Sequence, residues 1–107
     1  MTLPSARRGE VWLAQLDKIR PVIVMTRDPM GALLNAVLVA PITSTVRGLS
    51  TEVPVGPLDG VRVDSVANLD SAQLVARSRL LRRVGRARAS TLAALCAALK
   101  TAVDCAG

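Results

Sequence analysis

The side chains in this sequence best able to do chemistry are arginines: twelve of the 107 residues are Arg, two are Lys and none is His. Without His the chain lacks the group that most often moves protons near neutral pH, and with it the Cys–His nucleophile pair and the common zinc ligand sets. Cys96 and Cys105 are the only thiols, too few to complete a metal site. No metal or other cofactor is therefore expected. A formal charge of +6 and a pI near 11.0 point to an anionic partner, nucleic acid first among them. The same balance also suits solubility or an acidic protein partner. Phe and Tyr are absent and Trp12 stands alone, which leaves little for the aromatic stacking that most readers of single-stranded RNA use. Any RNA contact must lean on charge.

The densest basic stretch is Arg77, Arg79, Arg82, Arg83, Arg86 and Arg88. Laid along one surface it would bind phosphates, each contact strengthening binding and steepening its salt dependence. A merely solvated face is the other reading, because these residues span a turn and a strand and need not share a side. Arg27, next to Asp28 in a turn-rich loop, is a further candidate for the rim of a cleft.

Several short elements must position these groups. Gly9 to Leu16 mixes Val11, Leu13 and Leu16 with polar residues, as a half-buried strand does, and Asp17 to Pro21 breaks the pattern with a turn. Pro21 to Thr26 is nearly all β-branched, with Pro21 at the start where a missing donor costs least. Ala36 to Ile42 is almost continuously apolar, as expected of a central strand covered on both sides, and Pro41 marks an irregularity near its end. Further strands are expected at Thr51 to Val55, Asp64 to Asn68, Leu69 to Ala76 and Arg82 to Arg86, with Gly56 to Gly60 as a turn. From Thr91 the apolar residues Leu92, Leu95, Cys96, Leu99 and Val103 fall three or four apart, which predicts a helix with Ser90 as N-cap and one apolar stripe. Cys96 should pack in or beside that stripe, and Cys105 should lie near its frayed end. Half of the residues are hydrophobic and 21% charged, the balance of a packed domain, and residues 1–107 fit a single one. The fold class is α+β: a small antiparallel barrel or curled sheet with a C-terminal helix packed on it. No apolar run is long enough to cross a bilayer and no secretory leader is evident, so a cytoplasmic protein with reduced thiols is expected.

Three short motifs stand out in order: Arg8-Gly9-Glu10-Val11-Trp12-Leu13, Arg20-Pro21-Val22-Ile23-Val24, and Ala40-Pro41-Ile42-Thr43-Ser44. Together with Asp64-Ser65-Val66, Arg79-Leu80-Leu81 and Val84-Gly85-Arg86, they make the chain resemble the MazF/PemK family of toxin–antitoxin endoribonucleases from Arg8 to about Val103. That resemblance implies an SH3-like barrel of the kind shared by MazF and CcdB, a homodimer, a cognate antitoxin, and metal-independent cleavage of messenger, transfer or ribosomal RNA. It also assigns catalysis to Arg20 and Thr43. Charge and position, rather than the resemblance, make Ser44, Arg27, Arg77, Arg79, Arg82, Arg83 and Arg86 the expected substrate contacts.

The chemistry agrees with elementary requirements. Cleavage of RNA by its own 2′-hydroxyl needs a proton acceptor, charge stabilisation at phosphorus and protonation of the leaving oxygen. With no His, a guanidinium must carry much of that load, and a threonine hydroxyl can donate to a non-bridging oxygen. The sequence departs from the family in two places. Only Asp17-Lys18-Ile19 join Leu16 to Arg20, where the family commonly has a longer loop over the active site, and the family's acid–Gln pair appears as Asp70-Ser71. Two other readings use the same features. A non-catalytic SH3-like RNA-binding module would need the basic strip but not Arg20. A CcdB-like gyrase poison would carry a C-terminal Trp, and this sequence ends Asp104-Cys105-Ala106-Gly107.

Overall fold

The computed structural model describes residues 2–104. The elements follow as β1 (Glu10–Gln15), β2 (Ile19–Val24), β3 (Ala36–Thr43), β4 (Glu52–Val55), β5 (Ser65–Asn68), β6 (Gln73–Ala76), β7 (Leu80–Arg86) and α1 (Ala89–Ala102). Short 3-10 turns at Met30–Ala32, Pro57–Asp59, Leu69–Ser71 and Arg77–Arg79 connect them. The segment expected as one strand from Leu69 to Ala76 is thus a turn followed by a strand, because Asn68 accepts a hydrogen bond from the Asp70 N–H and curls the chain.

All strand pairs are antiparallel, in the order β4-β5-β3-β2-β1-β7, with β6 also pairing β3. Among the described residues β4 and β7 do not pair, so the sheet is curled and open rather than a closed barrel. The β1–β2 hairpin closes at Gln15 opposite Ile19. β3 takes β2 along one side, while its other side pairs with β6 from Ala36 to Val39 and with β5 at Ile42 and Thr43. Among the described residues, Ala40 and Pro41 have no partner on that second side. Pro41, which lacks an N–H, therefore sits where the ladder is already interrupted.

The apolar runs of β2 and β3 feed two cores, because successive side chains point to opposite faces. Ile23, Ala40 and Ile42 join Val11, Val53, Leu69 and the helix residues Leu95 and Ala98 on one face. Val22, Val24, Val37 and Val39 join Trp12, Ala14, Val75 and Leu80 on the other.

The helix forms as the spacing requires, but its start and stripe differ from expectation. Ser90 is not the cap: the helix begins at Ala89 with Arg88 in the cap position and no cap bond from its side chain. The carboxylate of Asp59, fully buried, accepts the Arg88 N–H at 2.9 Å and the Arg88 guanidinium at 3.3 Å instead. Burial works to raise the Asp59 pKa, and hydrogen bonds from Arg88 and Thr91 outweigh it and hold the carboxyl below its ordinary value. The buried stripe is Thr91, Leu95 and Ala98, with Cys96 half-buried beside it, whereas Val103 is exposed. Cys105 lies outside the described residues. Asp59 reaches the helix through a close approach of Gly60 to Gly85 that leaves no room for a Cβ on either, and Gly60 itself has φ +84°.

Candidate active site

Arg20 lies one residue into β2, just after the hairpin turn. Asp17 in that turn accepts two bonds from its guanidinium, from Nε at 2.9 Å and from an Nη at 3.0 Å. This forked pair raises the Arg20 pKa and pulls the Asp17 carboxyl down to about 2. With 36% and 69% of their side-chain surfaces exposed, the two groups are too well solvated for the pair to add much stability. Its effect is on orientation. Thr43 closes β3. The β2–β3 register sets Val22 opposite Pro41, and extending it by two residues sets Arg20 opposite Thr43. The Thr43 hydroxyl accepts the Thr45 N–H at 3.1 Å, which leaves its own proton to donate.

Two cavities flank this pair. One, of about 490 Å³, is the more polar of the two, with Thr45, Arg47, Glu52, Asn68 and Gln73 among its walls beside Leu16 and Pro41. The other, of about 480 Å³, is lined by Val11, Leu13, Val61 and Val63, with Lys18, Arg62 and Arg82 also on it. Arg20, Ile42 and Thr43 line both. They form the ridge between the cavities. A guanidinium and a hydroxyl on that ridge can meet one phosphate, with room for a nucleoside on each side.

The loop after Thr43 is held over the polar cavity by Glu52, whose carboxylate accepts the Arg47 N–H at 3.1 Å and the Leu49 N–H at 2.9 Å. The Leu49 bond is foremost in lowering the Glu52 pKa, against a smaller cost of desolvation. Glu52 thereby fixes Arg47 at the cavity wall.

The expected substrate contacts divide. Ser44 and Arg82 line the apolar cavity. Arg79 donates to the Gln15 carbonyl at 3.2 Å and borders a shallower hollow with Asp17 and Gln73. Arg83 bonds Glu10 at 3.0 Å, a buried carboxylate that burial alone would raise but that the Arg7 N–H, Arg83 and Trp12 hold below its ordinary value. Arg86 is exposed opposite Glu10, at the end of β7 away from the ridge. Arg27 follows the far end of β2 and lines neither cavity. Arg77 must be corrected outright. It is only 7% exposed, with Nε donating to the Leu34 carbonyl at 2.6 Å and an Nη to the Pro4 carbonyl at 2.8 Å, so it is a structural residue and is not offered to RNA. Sequence reasoning missed Arg47 and Arg62. Each stands apart from the basic run, and only the folding of its loop brings it to a cavity.

The sequence and the fold both match known proteins. The family model for PemK-like, MazF-like toxins of type II toxin–antitoxin systems matches residues 7–103. Endoribonuclease MazF3 of Mycobacterium tuberculosis is 45% identical over 94 residues, covering 88% of this chain and 91% of its own. The solved structure of M. tuberculosis toxin MazF-mt6 superposes with a TM-score of 0.84 at 44% identity, over 89% of this chain and 96% of that one. A mycobacterial endoribonuclease solved in complex with its cognate antitoxin shares the fold, with a TM-score of 0.85 at 24% identity, over 94% and 96% of the two chains. With the family model matching residues 7–103 and a relative 45% identical over most of both chains, this chain belongs to the PemK-like, MazF-like toxins of type II toxin–antitoxin systems.

Proposed function

We propose that this chain is a metal-independent endoribonuclease in which Arg20 and Thr43 stabilise the transition state. The observation that carries the reading is the ridge: one guanidinium and one hydroxyl shared by two cavities. A phosphate seated there takes two hydrogen bonds from the Arg20 fork in place of those to Asp17, and a third from Thr43. Attack of the 2′-oxygen forms a P–O2′ bond and breaks the P–O5′ bond, leaving a 2′,3′-cyclic phosphate and a 5′-hydroxyl. The proton leaving the 2′-hydroxyl is balanced by one arriving at the 5′-oxygen. Arg20 neutralises charge that grows on phosphorus oxygens during attack, the kind of contribution that is larger in the transition state than in the ground state. Ser44, Arg79, Arg82, Arg83 and Arg86, with Arg47 and Arg62 added, are the contacts that bring RNA to the ridge; Arg27 is a more distant one. The whole chain, 1–107, acts as one toxin domain in the cytoplasm, as a homodimer. A cognate antitoxin is supported by the complex of the structural relative, and charge complementarity has it silence the toxin by laying an acidic segment in the basic cleft.

The test is to incubate the purified protein with total RNA in EDTA and map new 5′ ends, for wild type and Arg20→Ala. Discrete cuts lost in the variant are expected. Equal cutting by the variant, or no cutting by wild type, overturns the proposal.

A further inference from the structure

We infer that the polar cavity beside the ridge reads one nucleobase next to the scissile phosphate, and that the carboxamide of Gln73, backed by that of Asn68, determines which base it accepts. The inference rests on the endoribonuclease reading and goes beyond it, from where RNA is cut to what selects the cut.

The cavity exists because β3 changes partner. Between Val39, paired with Gln73 of β6, and Ile42, paired with Ala67 of β5, the second side of β3 has no strand. The chain turns through Leu69–Ser71 there and leaves a gap walled by Asn68, Ser71 and Gln73 on one side and by Pro41 and Thr43 on the other. A single six-residue stretch thus delivers three polar side chains to within one cavity of the reacting phosphate.

Their hydrogen-bonding groups are not used up within the protein. Asn68 Oδ1 accepts the Asp70 N–H at 3.0 Å, which orients the amide; its NH₂ group has no partner among the described residues. The Gln73 carboxamide has none at either atom. Of the carboxylates nearby, Glu52 is engaged by backbone N–H groups. A free carboxamide offers a donor and an acceptor side by side, the arrangement that reads a base edge with two bonds. Stacking cannot substitute for it: the only aromatic ring, Trp12, is buried in the core with its Nε1–H on Glu10 at 3.2 Å. In unpaired RNA the base edges are accessible to such contacts. The cavity on the other side of the ridge offers apolar walls and cationic heads, which hold a nucleotide with less regard to its base. Selectivity is therefore concentrated on one side of the cut.

The experiment is cleavage of a randomised single-stranded RNA library by wild type, Gln73→Leu, Gln73→Glu and Asn68→Ala, with every cut site sequenced. Gln73 is exposed, so its variants should fold, and a thermal melt checks this. Gln73→Leu should flatten the preference at one nucleotide adjoining the cut by about tenfold, the worth of a good two-point base contact, while preferences elsewhere persist. Gln73→Glu, now carrying acceptors only, should shift that same position toward guanine, the base that presents two adjacent donors on its Watson–Crick edge. Asn68→Ala should weaken the same preference by less. Cutting by both Gln73 variants with the wild-type preference overturns this inference alone. No cutting by wild type overturns the endoribonuclease reading and this with it.

Discussion

Arg20 and Arg77 sit near opposite ends of β3, about 23 Å apart along a strand of eight residues, and the chain treats them in opposite ways. At the Arg77 end the guanidinium is drawn inside and ties the carbonyls of Leu34 and Pro4 together. At the Arg20 end it is left at the surface, held by one carboxylate on a turn, between two cavities. The same residue type is a fastener in one place and a reagent in the other. What separates them is the identity of the acceptor. Backbone carbonyls that are permanent neighbours fix an arginine for good, whereas a solvated carboxylate can be exchanged for a phosphate.

This contrast can be broken by experiment. The largest effect is expected at the reactive end: Arg20→Ala should lower the rate of RNA cleavage by 10²-fold or more, a size typical of removing one oxyanion-stabilising donor, with the melting temperature close to wild type. A large drop in melting temperature instead would make Arg20 a fastener too. Arg77→Met should do the reverse. It removes the charged donors that tie the Leu34 and Pro4 carbonyls, at a cost of about 1–3 kcal/mol, read as a fall of several degrees or more in melting temperature, while RNA affinity of the folded protein is retained. A loss of affinity with unchanged stability would return Arg77 to the binding surface.

Smaller effects sharpen the picture. Arg82→Ala, on the apolar cavity, should weaken binding to all RNA sequences alike and reduce the slope of log affinity against log salt by about 0.7; a changed cut-site preference would contradict its role. The smallest effect concerns pH. Glu10 and Asp59 have folded pKa values below their ordinary ones, so the unfolded chain takes up protons first as pH falls. Their stabilisation is then complete above the ordinary carboxylate range, about pH 4, and is lost as pH drops through the folded values. Thermal melts from about pH 7 to pH 3 should show that loss on the acid side only. Cleavage itself should lack a bell-shaped optimum in the imidazole range, since the chain has no His.

Much of this was legible in the residues. The β-branched run of β2 and the apolar run of β3 announced a central pair of strands, and their register, continued two residues past Val22 and Pro41, sets Arg20 opposite Thr43. The spacing of Leu92, Leu95 and Leu99 announced the helix. What escaped were the long-range polar contacts. Arg77 looked like any other member of its basic run, because the carbonyls that bury it are 43 and 73 residues away. The helix cap looked like Ser90, because Asp59 acts from 29 residues upstream. Gln73 and Asn68 looked like ordinary strand and turn residues until the change of partner along β3 opened a cavity between them. Local pattern reports which side of an element is buried; it does not report which distant group completes a hydrogen bond.

The open curl of the sheet has one more effect. The path of a sheet that does not close has two unpaired ends, here β4 and β7, each a ready template for a strand of another chain, and β6, off that path, has one free side as well. At one edge β4 carries Pro54, which cannot donate to an incoming ladder. At the other, β7 has arginine at three of its seven positions, Arg82, Arg83 and Arg86, so any second copy approaching edge to edge meets its own charge. The basic strip thus protects the molecule from self-templated aggregation even while no RNA is bound.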